Sequence, residues 1–230
     1  MMNRSFMISI STTLLLFFTF ASNAEEPKLE RIEWTDVWVM NANQDAAARV
    51  LLVGDSIVKG YYGAVEKALG EKVSCARYAT SLFLSNPDYL AELSLLLSRY
   101  DFDVIHINNG LHGWDYSEEE YTAGLTELLA TIKQCSPEST VIWCMTTPVR
   151  VAQDVANIDA NKNNRVIERN RIAAEIMNER EIPINDLYAV VIDHPEYFAD
   201  DGVHYNGKGQ AVEGDQVAAM IAQYLPEGIQ

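Results

Sequence analysis

A serine, an aspartate and a histidine in this chain sit where an acyl-transfer site needs them. Ser56 follows the apolar run Val50 to Val53, after a break at Gly54-Asp55. Beyond it, Ile57, Val58, Tyr61, Tyr62, Val65 and Leu69 recur at helical spacing. The pattern reads strand, sharp turn, helix. A serine in that turn stands at the carboxyl end of a buried strand, the edge where open α/β sheets bind ligands. The unpaired N–H groups of the helix start point there and stabilise an anion. Ser56 is thus placed as a nucleophile; capping the helix is its alternative role. Near the other end of the chain comes Asp200-Asp201-Gly202-Val203-His204. The spacing, with its glycine, lets the loop turn so that the Asp201 carboxylate meets His204 Nδ1. The carboxylate then fixes the tautomer and stabilises the imidazolium that forms during attack. The other ring nitrogen takes the proton from Ser56. An isolated Asp-x-x-His reads as a surface histidine before a helix; paired with the Ser56 turn it reads as a hydrolase base.

Attack on an ester creates an oxyanion, which needs donors. The backbone N–H of Ser56 is one candidate. Asn108-Asn109-Gly110 closes the third predicted strand on the same sheet edge, where a side-chain amide can supply a second; an Asx turn is the alternative. The segment Arg77 to Ser81, after the second strand, is a third source. Thr146, Thr147, Pro148 and Arg150 end the fourth strand on that edge, so Arg150 either lines the pocket or pairs with a surface carboxylate. Trp114 and Tyr116 either stack on a sugar ring or pack. Tyr61, Tyr62 and His106 read as core residues, and His194 has no evident partner. The four histidines show no metal-ligand spacing.

From Arg49 to about Leu225 the chain resembles the SGNH, or GDSL-type, hydrolases. The resemblance rests on Val53-Gly54-Asp55-Ser56-Ile57 and on Asp201-Gly202-Val203-His204, in the family's order at opposite ends of one domain. It implies a flavodoxin-like sheet, a Ser56–His204–Asp201 triad and ester hydrolysis with no metal and no cofactor. Two blocks depart from the family pattern. The second, normally with an Asn and a donating Gly, reads Ala76-Arg77-Tyr78-Ala79-Thr80-Ser81 here, leaving the N–H of Ser81 or Ala79. The third, normally Gly-x-Asn-Asp, reads Asn108-Asn109-Gly110-Leu111-His112. Asn109, then Asn108, is the expected amide, as in divergent branches with an Asn-x-Gly segment; His112 is the other option. Otherwise His112 shapes a pocket with Trp114, and Arg77 and Arg150 are further pocket candidates.

The elements that must position these groups alternate. Strands are expected at Val50–Val53, Val73–Ala76, Val104–Ile107, Thr140–Met145 and Ile182–Ile184. Helices are expected at Ile57–Leu69, from Asn86 to about Tyr100, from Ser117 to about Cys135, at Arg165–Arg180 and at Gly207–Leu225, with a helical turn or short helix at Leu187–Ile192. Asp154 to Asn164 is polar and reads as a loop at the site edge. Parallel strands joined by helices demand right-handed crossovers. The expected fold is α/β, a three-layer αβα sandwich around a five-stranded parallel sheet, as one domain over 49–230. Residues 25–48 read as an N-terminal extension packed on that domain, through Trp34, Val37, Trp38 and Val39.

Residues 1–24 carry one charge, Arg4, an apolar stretch from Ile8 to Ala21, and Ser22-Asn23-Ala24 at a cleavage position. They read as a secretory signal peptide, so the mature chain is expected to be exported, periplasmic or extracellular, without stable membrane insertion. The whole chain has 17 basic and 33 acidic side chains; removing Arg4 leaves 16 against 33, a net −17. That surface disfavours nucleic acid and suits neutral substrates. Cys75, Cys135 and Cys144 cannot all pair, and Cys75 and Cys144 read as buried small hydrophobes. The expected activity is a serine esterase on short-chain, acetyl-type esters of small molecules or carbohydrate. A lipase or lysophospholipase is one alternative, and a catalytically silent glycan-binding module on the same fold is the other.

Overall fold

The structure is a computed structural model that describes residues 27–44 and 48–229. The expected signal peptide lies outside the described residues. Strand β2 (Ala48–Gly54) leads into helix α1 (Ser56–Leu69); β3 (Val73–Thr80), α2 (Pro87–Leu97), β4 (Val104–Ile107), α3 (Glu118–Cys135) and β5 (Thr140–Cys144) follow in alternation. The strand β1 (Thr35–Val39) precedes them. A hairpin of β6 (Arg150–Val151) and β7 (Asp154–Ile158) comes next, then α4 (Ala160–Glu179), β8 (Ile184–Asn185), α5 (Leu187–Val191) and α6 (Gly207–Ala222). The main sheet has the order β1-β3-β2-β4-β5-β8. All its neighbours are parallel except β1, which runs antiparallel to β3. Its parallel part is the flavodoxin-like arrangement, with the order reversing at β2.

Strand β2 shows why the layers form. Its side chains alternate in direction. Val50 and Leu52 enter one apolar cluster with Tyr61 and Val65 of α1 and Val217 and Ile221 of α6. Leu51 and Val53 enter the other, with Leu93 of α2, Leu125 of α3 and Met177 of α4. Both faces of the strand are therefore dry, and each fully buried aliphatic side chain contributes about 1.5–3 kcal/mol. A parallel strand covered on both sides must read as a continuous apolar run.

The structure corrects the expected five-stranded sheet to six strands. The extension contributes β1, paired from Thr35 opposite Thr80 to Val39 opposite Ala76. Alternating Thr, Val and Trp side chains suit a sheet edge, and this pairing carries β3 four residues past Ala76. The expected loop at 154–164 is instead a strand and the start of a helix. Asp154–Ile158 folds back on Arg150–Val151, and Asp159 caps α4 through the N–H groups of Asn161 and Lys162. The helix thus starts at Ala160, five residues before Arg165. Cys75, Cys135 and Cys144 are all free thiols.

Candidate active site

Ser56 is the first residue of α1, directly after Gly54 and Asp55 at the end of β2. Asp55 is the helix cap, its carboxylate accepting from Ile57 N–H at 2.9 Å. The position leaves the Ser56 N–H without an intrahelical carbonyl. Strands β3 and β4 flank β2, so the serine stands over the crevice where the strand order reverses.

The structure brings Asp201 and His204 to this serine. Ser56 Oγ lies 2.8 Å from His204 Nε2, and His204 Nδ1 lies 2.7 Å from Asp201 Oδ2. The second Asp201 oxygen accepts the N–H groups of Val203 and His204 at 2.9 and 2.8 Å. Burial works against that carboxylate, but these N–H groups and the imidazole outweigh it and hold the carboxyl below its ordinary range. Asp201 therefore stays ionised beside His204. The loop is braced from outside: Arg150 N–H donates to Gly202 O, and Gln153 N–H to Asp200 O, both at 2.7 Å. The β6–β7 hairpin is thus the support of the histidine loop.

The oxyanion candidates divide. Asn108 Nδ2 donates to Cys144 O at 2.7 Å and to Thr146 Oγ1 at 3.0 Å, which uses both its hydrogens. Its role is to tie the ends of β4 and β5 together. Asn109 Nδ2 donates to Leu82 O at 2.8 Å, and the same side-chain amide meets the buried Tyr89 hydroxyl. Ser81 departs from its expected role as a donor. Its N–H donates to Trp34 O at 3.0 Å, and its hydroxyl donates to Glu33 Oε2 at 2.8 Å while accepting from Trp34 N–H. Ala79 lies inside β3, opposite Gly54. The Ser56 N–H is left as a donor, and Asn109 is the remaining amide candidate.

Residues 27–34 run as a strap that occupies Ser81. Lys28 N–H donates to the Tyr116 hydroxyl and its ammonium pairs with Glu120 at 2.8 Å. One Glu30 oxygen lies 2.9 Å from His112 Nδ1 and the other accepts Gly113 N–H at 2.9 Å. Burial lowers the His112 pKa, but the Glu30 partner and the charges of Asp55, Glu30 and Glu33 outweigh it and raise it. Trp34 meets the His112 ring edge-on and lies under the Lys59 ammonium of α1. His112 is therefore the strap's anchor.

Two expected pocket residues lie elsewhere. Arg77 sits within β3, opposite Leu52, where it pairs with Asp36 at 2.7 Å and covers the Tyr62 ring. It is a structural pair across β1 and β3. Arg150 is 5% exposed; its guanidinium donates to the carbonyls of Val155 and Ile192 and covers Phe198. It binds the hairpin to the histidine loop. Trp114 is half-buried, with Arg165 and Arg169 against its ring. His106 is a core residue paired with Asn185, and burial pushes its pKa down to about 3. His194 does have a partner, Glu196, at 3.1 Å.

Three contributors escaped sequence reasoning. Arg169 of α4 is completely buried. It donates to the carbonyls of Gly110, His112 and Gly113 at 2.8–2.9 Å and to Glu118 at 3.1 Å. It thereby fixes the loop that carries Asn109. The signal was available: Val166, Arg169, Ile172, Ala173 and Met177 form one buried stripe of the helix, with an arginine inside it. Glu213 interrupts the buried stripe of α6 in the same way. Glu30 had no signal, because its partner is 82 residues away. Among the described residues no cluster of three or more His, Cys, Asp or Glu side chains is arranged to hold a metal ion.

Residues 52–212 match the family model described as the GDSL-like lipase/acylhydrolase family. A comparison with curated proteins finds no match. Among solved structures, the fold is similar to an aryl esterase of M. smegmatis in its inhibitor-bound form, at TM-score 0.65 and 14% identity, covering 77% of this chain and 100% of that one. It is similar to a carbohydrate acetylesterase from Sinorhizobium meliloti, at TM-score 0.64 and 14% identity, covering 76% of this chain and 99% of that one. A GDSL-like lipase from Bacteroides thetaiotaomicron VPI-5482 aligns at TM-score 0.59 and 16% identity, covering 77% and 89%. At these identities the likeness concerns the fold.

Proposed function

We propose a Ser56-dependent esterase reaction for this chain, which belongs to the GDSL-like lipase/acylhydrolase family and is a carboxylic ester hydrolase. The observation that carries the reading is the continuous hydrogen-bonded line Asp201–His204–Ser56, at 2.7 and 2.8 Å. His204 Nε2 takes the hydroxyl proton as Ser56 Oγ attacks the ester carbonyl. Asp201 holds the ring in the tautomer that leaves Nε2 free to accept, and it stabilises the imidazolium. The oxyanion is met by the Ser56 N–H and by the Asn109 amide, a donor of this kind being worth about 3 kcal/mol of barrier. His204 returns the proton to the leaving alcohol, and a water resolves the acyl-enzyme by the same route.

The favoured substrates are short, acetyl-type esters of neutral alcohols, carbohydrate included. Three features support this. His204 and Asp201 side chains are 48% and 52% exposed, so a bulky polar alcohol reaches them. Glu30 and Glu33 on the strap disfavour anionic acyl groups. The carbohydrate acetylesterase from Sinorhizobium meliloti shares the fold. Export through cleavage after residue 24 belongs to the same proposal, and N-terminal sequencing of the exported protein tests it. Turnover of p-nitrophenyl acetate and acetylated sugars by the wild type, abolished in Ser56→Ala, is the expected result. Equal negligible rates in both would instead favour a glycan-binding module, and faster turnover of long acyl chains a lipase.

A further inference from the structure

Behind the Ser56 turn lies a group of buried polar atoms that the proposed reaction does not use. Glu213 of α6 is 0% exposed, and neither of its carboxyl oxygens has a hydrogen-bond partner. Asp55 Oδ2 and the Tyr61 hydroxyl are likewise buried without a partner, while the buried hydroxyls of Thr147 and Tyr205 meet each other. Asp55, Tyr61 and Thr147 line one small cavity with Cys144 and Asn108. Electrostatically, Glu213 faces Asp55 in the turn before α1, Tyr61 on α1, Cys144 on β5 and Tyr205 after the histidine loop. Arg150 faces Tyr205, and Asp186 faces Cys144, from farther out. From α5 this apolar cluster takes Leu187 and Val191 with the partly buried Tyr188, and from residues 195–197 the partly buried Tyr197.

The placement is specific. Asp55 directly precedes Ser56, and Tyr205 directly follows His204. Helices α1 and α6 approach closely enough that a Cβ on Gly214 would overlap Ala64. Glu213 therefore sits at the seam between the element bearing the nucleophile and the one leading from the base. An unpaired acid in a dry interior costs stability that an apolar side chain of its size would not. The buried cation nearby, Arg150, faces Tyr205 and donates to the carbonyls of Val155 and Ile192, and no cation among the described residues lowers the Glu213 pKa.

We propose that Glu213 is a positioning residue for the pair Ser56 and His204: as an uncharged acid it fills the seam behind Asp55 and Tyr205, and its ionisation forces that seam apart. The inference rests on the esterase reading above. The direction of its titration agrees, since burial first and the Asp55 charge second push its pKa up to about 9. Two carboxylates meeting in a dry seam repel each other, and water must enter to hydrate them. Ser56 then loses its 2.8 Å approach to His204.

The test is the pH profile of kcat/KM for p-nitrophenyl acetate from pH 6 to 10.5 in the wild type, Glu213→Gln and Glu213→Ala, with Ser56→Ala as the background. Thermal unfolding is followed over the same range. The wild type is expected to lose activity about tenfold between the plateau and pH 10, as one group titrating near 9 demands. Glu213→Gln is expected to remove that fall and to unfold at a temperature that changes less with pH. Glu213→Ala is expected to lower kcat several-fold with little change in KM, and the glutamine variant to rescue it. An identical alkaline fall in wild type and Glu213→Gln overturns the proposal, as does a glutamine variant inactive at neutral pH. A wild type without Ser56-dependent turnover overturns the esterase reading and the positioning role with it; the unfolding curves then report separately whether the buried acid is neutral.

Discussion

Arg150 and Gly202 grip each other by their backbones: the Arg150 N–H donates to Gly202 O at 2.7 Å, and a Cβ on Gly202 would strike the Arg150 carbonyl. Gly202 also has φ +75°, a conformation that residues with a Cβ adopt at a cost. This contact joins the β6–β7 hairpin to the loop between Asp201 and His204. The glycine in Asp-Gly-Val-His is thus explained by backbone geometry.

Gly202→Ala is expected to destabilise the fold by about 1–3 kcal/mol. Because the loop must shift, kcat is expected to fall by about 100-fold with a small change in KM. Thermal unfolding and steady-state kinetics on a short aryl ester measure the two effects. Wild-type kinetics in this variant would mean that the hairpin does not position His204.

The two asparagines are expected to separate by kcat. Asn109→Ala should lower kcat by about 100-fold or more, as the loss of an oxyanion donor does, with a stability cost because Leu82 O loses its buried partner. Asn108→Ala should spare kcat far more and lose stability, because its amide ties Cys144 O and Thr146 Oγ1 across β4 and β5. Its cost is about 1–3 kcal/mol of stability from buried groups left unpaired. Paired measurements of kcat and unfolding in both variants decide the assignment.

Arg169 is expected to be intolerant of lysine. A lysine ammonium cannot reproduce the forked donation to Gly110, His112 and Gly113 with Glu118. Removing one partner of a buried pair costs about 3–5 kcal/mol. Arg169→Lys should therefore lower the melting temperature and reduce kcat together, through the loop that holds Asn109. Unfolding near the wild-type temperature would show that the loop is held by other contacts.

Much of this was legible in the chain, and the remainder was hidden for physical reasons. The parallel strands β2 to β5 were readable because strands buried on both faces are continuous apolar runs, as in Val50 to Val53, whereas the exposed β6–β7 hairpin was not. The Ser56 turn and the Asp201–His204 spacing were readable because each is local. The strand Thr35–Val39 escaped because edge strands are short and half-exposed, with Val37 52% and Trp38 53% exposed. Ser81 was a reasonable donor by topology; only the distant Glu33 and Trp34 reveal that its hydrogens are spent. Arg77 and Arg150 were placed in a pocket by sheet position, since sequence does not show which partner a cation finds.

The strap should respond to pH through His112 and Glu30. The His112 pKa is raised in the folded state. Its contribution to stability is therefore fully present below about 6.5, the unfolded value, and is lost as pH rises through the folded value. Glu30→Gln is expected to remove this dependence and to make residues 27–34 more susceptible to proteolysis at neutral pH. Limited proteolysis of both proteins between pH 5.5 and 9 measures it. Equal cleavage at every pH would mean that Lys28 and Trp34 hold the strap without the Glu30–His112 contact.

The central claim is that Ser56 Oγ carries the acyl group between two half-reactions. It is tested most directly by acid-quenching the protein during turnover of p-nitrophenyl acetate and mapping added mass by peptide mass spectrometry. One acetyl group on Ser56, absent in Ser56→Ala and accumulating in Asp201→Asn, is the predicted result. Turnover that continues at the same rate in Ser56→Ala, or an acetyl group found only on another side chain, would contradict it.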